Sequence, residues 1–296
     1  MKNYRRAAVE IYIWPRVCYN ADMDIKAYGK INLTLDVLYR RPDGYHQLRG
    51  VMCAVDVYDA VHMERSEGVS VTFDEAVPPQ NTAIMAARAF FEKTGRGADI
   101  YIQKGIPSKA GMGGASADAA GVLRGMNRLY GGPLSESELY SIGLSIGADV
   151  PFCLMGGCAV AEGIGEVLTP LPAPELNLLI IKGNEGVSTG ALFKELRLPI
   201  ERRPDTDGAI AAIMRGDITG LIPLCENALE IPAIGLSPEI AQNKKRLQSL
   251  GAHAFMTGSG AAVVGIFKTV EQAAEAQKSF RDLPFARVCS TGGFVI

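Results

Sequence analysis

The stretch from Pro107 to Ala120, PSKAGMGGASADAA, constrains this chain more than any other. Before it, DIYIQK sets Ile100 and Ile102 on one face at period two. After it, an alanine-rich run carries apolar residues at helical spacing through Leu123 and Leu129, so the order reads strand, loop, helix. Gly111, Gly113 and Gly114 can turn backbone N–H groups inward with no Cβ in the way, and the helix that follows points its positive end at the same spot. Ser116 stands where that helix would begin, its hydroxyl able to cap the helix or to touch a phosphate or its metal. A dinucleotide fingerprint needs glycine at Ser116 and a Walker A loop ends in Gly-Lys-Ser/Thr, so neither template is met. A Gly/Ala-rich helix start packed closely on a sheet has the same composition, and the loop alone leaves both readings standing.

With 296 residues and 48% hydrophobic content, the chain can build two domains of ordinary size. A net charge of -2 and a pI near 6.0 offer no pull toward nucleic acid or an anionic membrane, so a nucleotide would be held locally. No apolar run approaches the roughly 20 residues that span a bilayer. Six cysteines, Cys18, Cys53, Cys153, Cys158, Cys225 and Cys289, are scattered without a CxxC pair and read as small structural hydrophobes in a reducing, cytoplasmic setting. His46, His62 and His253 lack ligand-like spacing, so a protein-bound zinc site is not expected, and any metal arrives with the substrate. His62, between Val61 and Met63, is expected to face solvent.

Residues 1–22 differ from the rest and read as an extension preceding Met23; the lone tryptophan, Trp14, lies there and is assigned no role. From Ile25 to Val37 the chain alternates: Ile25, Ala27, Gly29, Ile31, Leu33, Leu35 and Val37 on one face, Lys26, Tyr28, Lys30, Asn32, Thr34 and Asp36 on the other. The pattern predicts a half-buried strand with Lys30 and Asn32 projecting together. Taken alone, it makes Lys30 a solvated strand lysine. Arg40 to Gly44 carries turn chemistry and delivers Tyr45 and His46 to the next strand, either as a platform for a flat ring or as an exposed hairpin end. Strands are expected over Val51–Met63 and Val69–Phe73, then a helix over Asn81–Thr94 with Ile84, Ala87, Phe90 and Phe91 inward.

The capping box at Ser135 to Glu138 starts a further helix that ends near Gly147. Asp149 follows in GADVPFC. A carboxylate in such apolar company stays ionised only beside a cation or hydrogen-bond donors, and an Asx turn closing the helix is an equal alternative. Pro170, Pro172 and Pro174 mark a domain boundary, giving an expected first domain over 23–172 and a second over 173–296. Beyond it the pattern predicts a short buried strand over Leu176–Ile181, a helix carrying Phe193, a helix over Pro238–Leu250, the strand–loop–strand HAFMTGSGAAVVGIF and a helix over Val270–Phe280.

Three blocks, AYGKINLTLDVLYRRPDGYH, PSKAGMGGASADAA and FMTGSGAAVVGIF, resemble in order the three signature motifs of the GHMP kinase superfamily. The RRPDGYH ending resembles one branch in particular, whose members phosphorylate the 2-hydroxyl of a cytidine diphosphate methylerythritol. The likeness runs from about Met23 to near the C-terminus. It implies an α+β protein of two domains: an N-terminal ATP-binding domain of ribosomal protein S5-like type and a C-terminal ferredoxin-like α/β layer. It implies ATP and Mg²⁺ as cofactors, a small-molecule substrate, no nucleic-acid or membrane partner, and a monomer or homodimer.

The resemblance also assigns residues. Lys30 and Asp149 correspond to the catalytic pair and Asn32 to the support of the reacting hydroxyl. Tyr45 and His46 correspond to the cytosine site, with Phe193 closing the ring sandwich and Thr189 nearby. Pro107, Ala110, Gly111, Met112, Gly113, Gly114, Ala115 and Ser116 correspond to the ATP phosphate loop, and Asn81 and Lys104 to the adenosine side. The segment VSTGALF departs from the pattern, with Gly190 where proline follows the threonine. Homoserine or mevalonate kinases, whose substrates offer no base to stack, and a nucleotide-binding module without turnover are the competing readings.

Overall fold

The structure, a computed structural model, describes residues 22–200 and 202–296. The extension expected over 1–22, with Trp14 and Cys18, lies outside the described residues except for Asp22. In chain order the elements are β1 (Met23–Arg40), β2 (His46–Ser66), β3 (Val69–Phe73), α1 (Thr82–Thr94), β4 (Gly97–Gln103), α2 (Gly114–Leu129), α3 (Glu136–Ile146) and α4 (Val150–Met155). There follow β5 (Cys158–Gly163), β6 (Val167–Leu171), β7 (Asn177–Lys182), α5 (Thr189–Glu195), α6 (Thr206–Met214), α7 (Ile218–Leu221) and β8 (Glu226–Asn227). The chain ends with α8 (Glu230–Leu236), α9 (Glu239–Ser249), β9 (His253–Met256), β10 (Val263–Phe267), α10 (Val270–Gln277) and β11 (Phe285–Ser290).

Two sheets carry these elements. The first has seven strands: its main path is β3-β4-β2-β1-β8, and β5 pairs with the front half of β2 and with β6. The second has four antiparallel strands in the order β11-β7-β10-β9, with α9 and α10 packed against it. β8, from beyond the proline-marked boundary, pairs in parallel with β1, and Ile296 and Cys289 join the apolar core around α2. Burial of that core is the main force holding sheet and helix together.

Local chemistry accounts for several boundaries. Asn81 caps α1 by accepting from the Ile84 N–H at 3.0 Å, and α1 buries Ala83, Ala86, Ala87 and Phe90, leaving Ile84 and Phe91 half-buried at the rim of that face. The capping box at Ser135 and Glu138 forms as expected. α2 begins earlier than its sequence suggests: Gly113, at φ 70°, takes the N-cap position, so Ser116 sits inside the first turn and caps nothing. The five described cysteines are free and buried, and burial pushes the thiols of Cys153, Cys225 and Cys289 up, away from reactive thiolates. His62 is half-buried rather than solvent-facing; its Nδ1 lies 2.6 Å from the Asp24 carboxylate and its ring stacks on Tyr101.

The largest departure concerns β1. Alternation predicts a wet polar face, yet Lys30, Asn32, Thr34 and Asp36 are all buried. The second half of the chain covers them. Thr257 Oγ1 accepts from the Asn32 backbone N–H at 2.9 Å, Thr206 Oγ1 donates to Thr34 Oγ1 at 3.2 Å, and Arg203 donates to Asp36 Oδ2. Register shifts between Tyr28 and Lys30 and between Asn32 and Thr34 bend the strand where this covering takes place.

Candidate active site

A cleft of about 670 Å³ lies between β1, the glycine loop that opens α2, and the segments leading into α4 and α5. The loop has its shape because other backbone holds it. Lys109 and Ala110 carbonyls accept from the Ala261 and Ala262 N–H groups at 3.0 and 3.1 Å, and the Met112 carbonyl accepts from the Lys30 N–H at 3.0 Å. Gly111 and Gly113 have φ of 75° and 70°. A Cβ at Gly111 would fall on the Thr257 carbonyl, and one at Gly113 would stand 3.2 Å from Lys30 Cγ. Glycine is therefore required at both, by left-handed backbone and by close approach.

The aliphatic stem of Lys30 lies along Gly113 and carries its ammonium to the centre of the cleft. Lys30 Nζ donates to Asn32 Oδ1 at 2.8 Å and lies 3.5 Å from Asp149 Oδ2. The expected projection of Lys30 and Asn32 from one face is thus observed. The solvated-lysine reading fails, because the Lys30 side chain is 5% exposed while that of Asp149 is 34% exposed. Asp149 occupies the N-cap of α4 but makes no capping hydrogen bond, so its carboxylate is turned to the lysine rather than spent on an Asx turn. Asn32, with its carbonyl oxygen taken by Lys30, has its amide N–H groups left to donate.

Lys104 is more deeply engaged than an adenosine contact requires. Its Nζ donates to Asp59 Oδ2 at 2.5 Å and to Asp118 Oδ2 at 2.6 Å, and Asp59 Oδ1 accepts from the Gly105 and Ile106 N–H groups at 2.6 and 2.8 Å. Burial opposes the Lys104 ammonium, but Asp118 and Asp59 outweigh it and raise its pKa above the ordinary lysine value. Burial first, then the Asp59 charge, pushes the Asp118 carboxyl up to about 8 against the pull of Lys104. Asp118 Oδ1 is buried with no hydrogen-bond partner. The reading from sequence missed both carboxylates. Their signal was present: Asp59 shares a strand face with buried Val57 and Val61, and Asp118 interrupts an alanine run.

Other expected site residues are placed less uniformly. Asn81, Lys104, Pro107, Ala110, Met112, Gly114, Ala115, Ser116, Thr189 and Phe193 line the cleft with the pair and its loop. Thr189 Oγ1 is 2.7 Å from Ser259 Oγ, a hydroxyl of the third block that went unassigned from sequence. Tyr45 and His46 stand outside the lining, and Tyr45 is exposed. The His46 and Phe193 rings stack on each other with centroids 4.9 Å apart and planes 25° apart. A flat base between them needs about 7 Å, two carbon contact distances, so the rings must part to admit one. Burial first, then the Arg40 charge, lowers the His46 pKa and keeps the imidazole neutral near pH 7. The oxygens that Ser116, Asp118 and Asp149 bring to the cleft suit Mg²⁺ in chemistry. No cluster of three or more His, Cys, Asp or Glu able to hold a metal occurs among the described residues.

In sequence and fold the chain is similar to known kinases. Residues 81–157 match the GHMP kinases N terminal domain and residues 209–284 the GHMP kinases C terminal domain. A 4-diphosphocytidyl-2-C-methyl-D-erythritol kinase of Caldicellulosiruptor saccharolyticus is 47% identical over 255 residues, covering 83% of this chain and 88% of the relative. The enzyme of the same name from Desulfitobacterium hafniense is 42% identical over 269 residues, covering 88% of this chain and 92% of its own. A crystal structure of 4-(cytidine 5'-diphospho)-2C-methyl-D-erythritol kinase superposes with a TM-score of 0.81 at 32% identity, over 92% of this chain and all of that one (100%). A homoserine kinase from Cytophaga hutchinsonii, at 19% identity and a TM-score of 0.70, shares the fold.

Proposed function

This chain belongs to the GHMP kinases and, within them, to the 4-diphosphocytidyl-2-C-methyl-D-erythritol kinase family, and from that membership we infer that it transfers a phosphoryl group from ATP to the 2-hydroxyl of 4-diphosphocytidyl-2-C-methyl-D-erythritol, in the non-mevalonate route to isoprenoid precursors. The observation that carries the chemistry is the Lys30–Asp149 pair beside the glycine loop.

Phosphoryl transfer needs in-line positioning, neutralisation of developing charge and an acceptor for the hydroxyl proton. In the role proposed here, Asp149 accepts that hydroxyl's hydrogen bond and takes its proton, being the member of the pair that solvent and substrate reach. Lys30, desolvated and hydrogen-bonded, stabilises the oxygen that attacks and the phosphoryl oxygens that gain charge. Asn32 orients the hydroxyl through its amide. The Gly111–Ser116 loop and the N-terminus of α2 hold the nucleotide's phosphates. Asn81 and Lys104, which line the cleft, are proposed to take the adenosine side of the nucleotide. Ser116, with Asp118 close by, would hold Mg²⁺ together with those phosphates; when bound, the ion neutralises phosphate charge.

His46, Tyr45, Phe193 and Thr189 are proposed to take the cytidine. The proposed domain division is 23–172 for the nucleotide and 173–296 for the covering layer. A cytoplasmic reaction among small molecules by a monomer or homodimer is proposed, and the net charge of -2 supports the part of that reading without nucleic-acid or membrane partners.

The test is an ADP-release assay with ATP and Mg²⁺ on the cytidylated substrate, homoserine and mevalonate in parallel. Turnover on the cytidylated substrate alone is expected. Turnover on another alcohol would discard the cytosine site while keeping the pair and loop.

A further inference from the structure

The charged side chains that line the cleft are Lys30, Glu75, Lys104, Lys109, Asp118 and Asp149. Lys30 faces Asp149, and Lys104 is shared by Asp59 and Asp118. Neither lysine therefore brings a net positive charge to a ligand. Lys109 has no acidic partner within ion-pair distance among the described residues. The two molecules that must meet in this cleft each carry a phosphate chain, so its charge inventory singles out Lys109.

The position of Lys109 is specific. It is the one non-glycine among the described residues at positive φ, 51°, a conformation that glycine would hold with less strain. Its carbonyl is fixed by the Ala261 N–H at 3.0 Å. Its side chain crosses Gly186, where an added Cβ would stand 2.8 Å from Lys109 Cβ and 3.0 Å from its Cδ. Gly186 begins the segment that leads to Thr189 and Phe193. The charge also reaches Lys182: burial, opposed by Glu239 and aided by Lys109, lowers that buried ammonium's pKa. Lys109 therefore spans the joint between the phosphate loop and the segment that carries Phe193. Lys104, by contrast, lies beside Gly114 at the start of α2.

We propose that Lys109 is a substrate-specificity residue whose ammonium binds phosphate oxygens in the cleft, those of the diphosphate that links cytidine to the reacting alcohol. This rests on the substrate reading above. Lysine serves such a chain as a compact point charge, and glycine at 186 leaves it room to extend. Lys109 lines the same cleft as Phe193 and the Lys30–Asp149 pair, so a diphosphate joining a base held at Phe193 to an alcohol held at that pair shares the cleft with its ammonium.

The experiment is calorimetric titration of cytidine, CMP, CDP and ADP into wild type, Lys109→Met, Lys109→Arg and Lys109→Gly, with steady-state kinetics on the cytidylated substrate. Lys109→Met is expected to weaken CDP about tenfold and to raise the substrate KM about as much, with cytidine and ADP affinities and kcat little changed. Lys109→Arg should recover most of the loss. Lys109→Gly relieves the left-handed backbone, so it keeps the fold, and should lose CDP affinity as Lys109→Met does. Unchanged CDP affinity in both charge-removing variants overturns the inference while leaving the substrate reading intact. Loss of ADP affinity alone moves the contact to the nucleotide's phosphates and likewise overturns it. Wild type that binds no CDP would overturn the substrate reading, and this inference with it.

Discussion

Lys30 Nζ and Asp149 Oδ2 lie 3.5 Å apart, one on β1 and the other at the start of the short helix α4, with the glycine loop between them in sequence and beside them in space. The lysine is buried and the aspartate is open to the cleft. That asymmetry supports the roles proposed for them, the buried cation stabilising charge that develops and the reachable carboxylate taking the proton.

Asp149→Asn keeps the shape and removes the proton acceptor. Turnover is expected to fall by on the order of a hundredfold or more, with ADP affinity nearly unchanged. Parallel kinetics and ADP titration check it. Equal losses of rate and affinity would make Asp149 a structural residue.

Asp118 offers a test of pH. Its carboxyl titrates near 8 in the fold against 3.8 in the reference state. Between those values the folded state holds a proton that the unfolded chain has released, so stability falls as pH rises through the window. Asp118→Asn lacks this titration, and Lys104 with Asp59 remains a balanced pair. Thermal midpoints at pH 5, 6.5 and 8 should show the variant gaining on wild type as pH rises. A constant difference would show that the carboxyl does not titrate in that range.

At the base end, Phe193→Ala removes one face of the proposed sandwich. CMP affinity is expected to drop by about 1–3 kcal/mol, the worth of one base–aromatic stack, while ADP affinity holds. The lowered pKa of His46 adds a pH signature: with cytidine as the probe, the change in binding that follows imidazole protonation should be centred below the ordinary histidine value of 6.5. A step above pH 7 would contradict the neutral imidazole.

Gly113→Ala sets a Cβ 3.2 Å from the Lys30 stem on backbone at φ 70°. A stability loss of about 1–2 kcal/mol by urea unfolding is expected. Displacing the Lys30 stem should also cost at least about tenfold in turnover. Turnover at the wild-type level would mean that the loop absorbs the methyl without moving the lysine.

Much of this was legible in the chain. The glycine loop, the Ser135–Glu138 cap, α1 and β3 follow from short-range rules, because turn strain, capping and periodicity act within a few residues. Lys30 and Asn32 share a face because a strand repeats every two residues. What period two could not say is whether that face is wet, and the sequence by itself made Lys30 a surface lysine. Tertiary structure decided otherwise, by laying Thr257, Thr206 and Arg203 over the polar side of β1 and setting α4 so that Asp149 meets the ammonium. The same holds for Asp59 and Asp118, which become one assembly only when β2, β4 and α2 pack around Lys104. Local propensity depends on neighbours along the chain, whereas desolvation and ion pairing depend on neighbours in space, and those exist only once the core has closed.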